Sequence, residues 1–176
     1  ARAATVLGKV HIVSEKPILT VDDALHHQRF ISDEQLMQRG DWENAMHSAP
    51  CTAAGTLYCG GQDHFYLEGQ ISTVTPTEDG GMNVYTSSQH PTEVQKLVAE
   101  VLNISINKVN VEVRRMGGGF GGKETQAAPL ACIAAIIAHH TQRPVKYRMS
   151  RHDDMVMTGK RHDFYNDYKV GINEQG

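Results

Sequence analysis

The densest chemical signal is the run Met116-Gly117-Gly118-Gly119-Phe120-Gly121-Gly122-Lys123-Glu124, with five glycines in six positions. Glycine has no side chain to pack and loses more backbone entropy on ordering than any other residue. Such a run between a strand and a helix lets backbone N–H groups come close to a ligand, and the following helix N-terminus adds a dipole end that favours anions. The competing reading is a flexible connector, but linkers more often carry Ser than an embedded Phe. Two nucleotide motifs match on the surface. Gly117-x-Gly119-x-x-Gly122 satisfies the dinucleotide fingerprint, yet no acidic residue follows about 20 positions later to hold a ribose. Gly117-x-x-x-x-Gly122-Lys123 nearly completes a P-loop, but Glu124 stands where a magnesium-binding hydroxyl belongs and would repel phosphate.

Other groups offer weaker chemistry. Glu68 and Glu124 form a carboxylate pair on paper, although nothing in the sequence sets their separation. The pairs His26-His27 and His139-His140 fall at predicted helix ends, where adjacent residues face apart and a C-terminal dipole explains them without a metal. His64 shares a strand face with Gln62 and opposes Asp63, a placement suited to packing behind a site. Lys160-Arg161-His162 reads as a solvated face. Cys51, Cys59 and Cys132 are an odd set without a C-x-x-C, which suits a reducing compartment; Cys51 and Cys59 are expected to fill strand faces. Asn103-Ile104-Ser105 matches a glycosylation acceptor that carries no weight without a signal peptide. Trp42, alone in a polar loop, is expected to plug that loop onto the body.

These residues need elements to position them. Strands are predicted over residues 6–13, 54–59, 65–74, 82–87, 109–113, 145–149 and 162–172, and Glu78-Asp79-Gly80-Gly81 supplies a hairpin turn. Thr20 starts a short helix to about His27, and a turn of helix is placed near residues 33–38 inside a surface loop spanning 28–50. The helical stripe Val94, Leu97, Val98, Val101, Leu102 begins behind Pro91 and ends at Asn103, a residue able to adopt a left-handed cap. Residues 125–140 form an Ala-rich helix, apolar almost all round, and Ser150 caps a short helix ending at Gly159. Residues 173–176 look like the turn of a hairpin whose second strand is missing. The class is α+β with a mixed or antiparallel sheet and packed helices.

The chain has 176 residues and a net charge of −3, with 40% hydrophobic and 21% charged residues. That length buries roughly 70% of the unfolded surface, enough for a core. The composition excludes collagen, coiled coil and disordered tail. A slightly acidic chain lacks the cationic footprint of nucleic-acid binders. No apolar run approaches the ~20 residues of a bilayer span, and no leader opens the chain, so the expectation is a cytoplasmic protein. Ala at position 1 suggests trimming or a fragment.

Two runs, Gly60-Gly61-Gln62-Asp63-His64-Phe65-Tyr66-Leu67-Glu68 and Arg115 through Glu124, resemble the molybdenum hydroxylases of the xanthine oxidase and aldehyde oxidase type. Asp153-Asp154-Met155 and Thr158-Gly159-Lys160-Arg161-His162 fit the same pattern. Within that family the large, molybdopterin-binding subunit of xanthine dehydrogenase in its bacterial, split-subunit form looks most similar. The resemblance implies that residues 1–15 end a hammerhead-like region and that residues 16–176 begin a molybdenum-cofactor-binding domain. It implies a molybdenum–pterin cofactor, with 2Fe-2S clusters, FAD and NAD carried by an iron–sulfur and flavin partner subunit or domain. The implied reaction hydroxylates hypoxanthine or xanthine toward urate with oxygen from water, in a hetero-oligomer touching neither membrane nor nucleic acid.

Carried over by motif, Gln62 hydrogen-bonds an oxo ligand of molybdenum, while Gly118, Gly119 and Phe120 line the cofactor with their amides. Glu124 orients the purine; aldehyde-oxidising relatives tend to carry an apolar residue at that position. The family's general base and a purine-binding arginine are expected beyond Gly176, leaving no catalytic residue within the chain and one wall of a site that is silent alone. Residues 130–137 are expected to expose apolar surface where neighbours would pack. The alternative is a stand-alone domain whose glycine loop binds a phosphate or nucleotide without catalysis.

Overall fold

The computed structural model describes Gly8 and residues 11–175. In chain order the elements are helices α1 (Val21–His26) and α2 (Trp42–Ser48), strands β1 (Cys51–Cys59), β2 (Ile71–Pro76) and β3 (Met82–Thr86), and helix α3 (Pro91–Leu102). A 3-10 turn (Ile106–Lys108), strand β4 (Val109–Glu112), helix α4 (Ala127–Thr141), strand β5 (Val145–Arg148), helix α5 (Arg151–Met157) and strand β6 (Phe164–Ile172) complete the chain. They fall into two units: residues up to Cys59 together with those from Phe164 on, and Gly60–Asp163. Of the strand expected over residues 6–13, half lies outside the described residues, and Gly8 and residues 11–13 are not in a strand.

In the first unit, β1 and β6 form an antiparallel ribbon running from Cys51 opposite Ile172 to Cys59 opposite Phe164. This partner of β6 precedes it by more than 100 residues. Gly55 sits across from Tyr168, where a Cβ would lie 2.9 Å from the phenol oxygen. Thr20 caps α1 as expected, its hydroxyl accepting the Asp23 N–H at 3.0 Å. The helix expected at residues 33–38 forms instead at α2, because Asp41 supplies the cap: its carboxylate accepts the Asn44 N–H at 3.3 Å and the Asn44 side-chain amide at 2.6 Å. Trp42 opens that helix and remains 48% exposed, so it does not plug the loop.

The second unit is a four-stranded mixed sheet in the order β4-β3-β2-β5. The β2–β3 hairpin pairs Val74 with Val84, β5 adds antiparallel to β2, and β4 runs parallel to β3 after the α3 crossover. Val94 and Val98 of α3 and Ala131, Ala134, Ala135 and Ala138 of α4 close over Val74, Met82, Val84 and Val109. The alanines let the α4 backbone come close to the sheet. Asn103 ends α3 at φ +51, the left-handed cap read from the sequence. Leu130 is buried, whereas Ile133 and Ile137 are exposed one turn apart, so the open apolar stripe on α4 is narrower than expected. No described helix is long and apolar enough to cross a membrane.

Strand β2 begins at Ile71, not at residue 65. Phe65 is left-handed at φ +47, and the Asp63 carboxylate accepts its N–H at 2.6 Å. That local turn removes residues 65–70 from the sheet and sends them along the glycine loop.

Candidate functional site

Alternate residues of the 64–68 segment press against the glycine loop. A Cβ on Gly117 would stand 2.5 Å from the Glu68 Cβ, one on Gly118 3.2 Å from the Tyr66 Cβ, and one on Gly122 2.7–2.8 Å from the Tyr66 and His64 rings. A Cβ on Gly119 would meet the Gln89 side chain at 2.7 Å. The run is glycine because two backbones and the side chains of His64, Tyr66, Glu68 and Gln89 crowd it, leaving no room for another carbon at Gly117, Gly119 or Gly122. Gly118 (φ +92) and Gly121 (φ +88) also require the left-handed region, and Phe120 between them adopts it at φ +54 with its ring 73% exposed. A non-glycine residue in that region stores strain, which is found where surrounding structure over-determines a site.

A buried polar network holds the two segments together. Lys123 is completely buried, and its ammonium donates to the Glu68 carboxylate at 3.2 Å and the Ser87 hydroxyl at 2.9 Å, 4.7 Å from the Tyr66 ring centroid. Burial pushes the Lys123 ammonium below its ordinary pKa, against the pull of Glu68. Burial alone would raise the Glu68 carboxyl. The Ser87 hydroxyl, the Gly117 N–H and the Lys123 ammonium outweigh that and hold it low. Asp154, 1% exposed on α5, accepts the Tyr66 hydroxyl at 2.6 Å and the Gln70 N–H at 2.8 Å. Gln70 donates its amide to the Gly122 carbonyl at 3.0 Å, while its own Oε1 meets no partner among the described residues. Arg151 donates to the carbonyls of Tyr66 and Leu67.

The glycine loop spends its amides unevenly. Gly117 N–H goes to Glu68, Gly121 and Lys123 N–H go to the Gln89 Oε1 at 3.0 and 3.1 Å, and Gly122 N–H closes a turn on Gly119. Among the described residues, the N–H groups of Gly118, Gly119 and Phe120 meet no protein acceptor. Three consecutive donors without a protein acceptor are available to an oxygen-bearing ligand.

Gln62 is exposed and clipped to Arg161 by two backbone hydrogen bonds of 3.0 Å, two residues before His64 enters the glycine loop. The motif that carries Gln62 therefore runs alongside the one that carries Gly118, Gly119 and Phe120. Glu124 is exposed just past the buried Lys123 and makes no hydrogen bond or ion pair among the described residues. Glu68, by contrast, is engaged by three internal donors, so it is a structural carboxylate and not half of a hydrolytic pair. The basic cluster is also no idle solvated face. Lys160 pairs with Asp63 at 3.3 Å and donates to the Thr158 carbonyl, and the Arg161 guanidinium donates to the Gly60 carbonyl at 2.8 Å. These bonds pin the turn that presents Gln62.

Sequence reasoning named Lys123 and Asp154 only as parts of motifs, without a role, and passed over Ser87, Gln89 and Gln70. The i, i+2 spacing of His64, Tyr66 and Glu68 was the one available signal, since it places the three on one face. A lysine next to glycines gives no sign of its burial.

The molybdopterin cofactor-binding domain family matches residues 25–176, and the chain belongs to that family. It is 40% identical to aldehyde oxidase 2 of Mus musculus over all of this chain and 13% of that protein. It is also 40% identical to a xanthine dehydrogenase of Blastobotrys adeninivorans, over 99% of this chain and 12% of that protein. A nicotinate hydroxylase of Emericella nidulans is 38% identical over the whole chain and 14% of its own length. The chain thus spans about 13% of the length of the curated relatives it matches. The aldehyde oxidoreductase of Desulfovibrio gigas shares the fold at a TM-score of 0.68 and 23% identity, over 77% of this chain and 15% of that one. The described residues fit a pterin-bound metal in the chemistry of their donors: the amides of Gly118, Gly119 and Phe120 are neutral donors toward oxygen.

Proposed function

We propose that this chain forms one wall of the cofactor site of a molybdenum-dependent purine hydroxylase, with the other wall, the electron carriers and the general base supplied by the rest of a longer protein. The observation that carries the reading is the arc of three acceptor-free amides at Gly118, Gly119 and Phe120, in a chain of this family. A molybdenum–pterin group, when bound, supplies the two-electron oxidation. The balance is a substrate C–H and a water giving C–OH, two protons and two electrons, the electrons leaving through 2Fe-2S clusters and FAD to NAD.

This chain's residues bind and orient. The amides of Gly118, Gly119 and Phe120 would hold oxygens of the cofactor as neutral donors, without adding charge. Gln62 contributes a neutral amide on the same segment, able to bond an oxygen without protonating it. Glu124, exposed and unengaged, accepts hydrogen bonds from the N–H edge of a purine and holds the ring near its reacting position, saving much of the entropic barrier. Glu124 is what supports a purine over an aldehyde, since an aldehyde has no N–H edge for a carboxylate to read. Residues 1–15 and 16–176 are read as the end of a hammerhead-like region and the start of the cofactor domain.

Metal analysis of the complete protein from molybdate-fed cells tests the reading: about one molybdenum per polypeptide is expected. A protein without molybdenum would sink it in favour of a phosphate- or nucleotide-binding domain. Gln62→Ala is expected to lower kcat by about 10- to 100-fold with molybdenum content near the parent's. Loss of the metal would make Gln62 an anchor of the cofactor instead.

A further inference from the structure

We propose that Lys123 and Glu68 are positioning residues for the cofactor: one ion pair that staples both ends of the glycine arc and presets the amides between them. This rests on the cofactor reading above. The arc begins at Gly117, whose N–H donates to the Glu68 Oε2 at 2.8 Å. It ends at Lys123, whose ammonium reaches the same oxygen at 3.2 Å. A single carboxylate oxygen therefore ties residue 117 to residue 123. The Ser87 hydroxyl reinforces it, donating to that Oε2 at 2.6 Å and accepting from the ammonium at 2.9 Å.

The backbone of Lys123 is gripped as firmly as its side chain. Its carbonyl accepts the Gln89 N–H at 2.9 Å and the Ser88 hydroxyl at 3.2 Å, and its N–H goes to the Gln89 Oε1. Every one of these anchors lies outside the arc, on residues 68 and 87–89. Within the arc, Gly118, Gly119 and Phe120, midway between the staples, are left without acceptors among the described residues. Burying an ammonium costs far more than burying a methionine of similar length, so packing alone does not account for Lys123. A charged pair that shares one oxygen with a loop amide does account for it, because it fixes the loop span in a way an apolar contact cannot.

The test uses the complete protein and three variants: Lys123→Met, Glu68→Gln and the double substitution. The readouts are molybdenum retained through dialysis, the electron paramagnetic resonance spectrum of the reduced metal, and thermal melting. Each single change is expected to speed cofactor loss about 10- to 100-fold, as when a group orienting a metal's surroundings is removed. The double variant, with no unpaired buried charge, should melt close to the parent yet retain metal no better than the worse single, since the two act as a unit. A double variant with parental retention and an unchanged spectrum overturns the proposal and leaves the pair a purely structural one. Should the double variant unfold, Ser87→Ala removes one bridging oxygen, and parental retention there is equally fatal. A parent without molybdenum would instead bring down the cofactor reading, and the staple with it.

Discussion

Replacing Glu124 by Val in the complete enzyme is expected to lower kcat/KM for hypoxanthine or xanthine by about 100-fold or more while leaving an aldehyde within about threefold. The asymmetry follows from what a carboxylate does at an exposed position with no internal partner. A purine presents N–H groups that pair with it, each bond to a charged acceptor contributing about 1.5–3 kcal/mol. Removing the acceptor strips those bonds from the purine complex. An aldehyde made none of them and loses only what the shape change costs. Parallel kcat/KM measurements on both substrates decide the matter, and an equal loss would take Glu124 out of substrate selection. Because residue 124 follows a lysine locked into the core, its backbone is held while its side chain stays open to solvent. A substitution there should leave folding nearly untouched, which keeps the kinetic comparison clean.

Gly122→Ala is expected to strip the complete protein of most of its molybdenum. The added methyl would stand 2.7 Å from the Tyr66 ring and 2.8 Å from the His64 ring. Tyr66 cannot swing away, since its hydroxyl is bonded to the buried Asp154 and receives the Gln70 amide. The loop must therefore shift, and overpacking of this kind costs about 1–3 kcal/mol. A displacement of the neighbouring amides then lowers cofactor occupancy by about tenfold for each 1.4 kcal/mol lost. Gly80→Ala is the matched control. It too adds a methyl to a loop glycine, but at φ +79 with nothing within 4 Å of the new carbon. It should cost about 1 kcal/mol of backbone strain and leave the metal content unchanged. Equal metal loss in both variants would mean that the close contact at Gly122 has no bearing on the cofactor.

Local signals were legible wherever one short segment settles its own conformation. Thr20 and Ser150 cap helices as their types require, Pro91 and Asn103 bracket α3, and the 78–81 turn joins β2 to β3. The glycine run marked a tightly packed loop, although it was the side chains of Glu68, Tyr66, His64 and Gln89 that fill the space beside it. The failures share a cause. Residues 65–70 have the composition of a strand, but the turn at Asp63 and Phe65 outcompetes sheet pairing and releases them. The α2 cap at Asp41 lay within a stretch with no periodic pattern to reveal it.

By itself the sequence determined most of the elements, the α+β class and two motifs specific enough to mark a family. Each of those depends on neighbours a few positions apart. Only the tertiary structure decided that β6 pairs with β1, that Lys123 is buried on Glu68, and that Lys160 and Arg161 pin the Gln62 turn. Those outcomes join residues separated by 55 to 101 positions or more. Which distant partner a charge or a strand finds is set by the shape of the whole packed unit, and no local pattern encodes it.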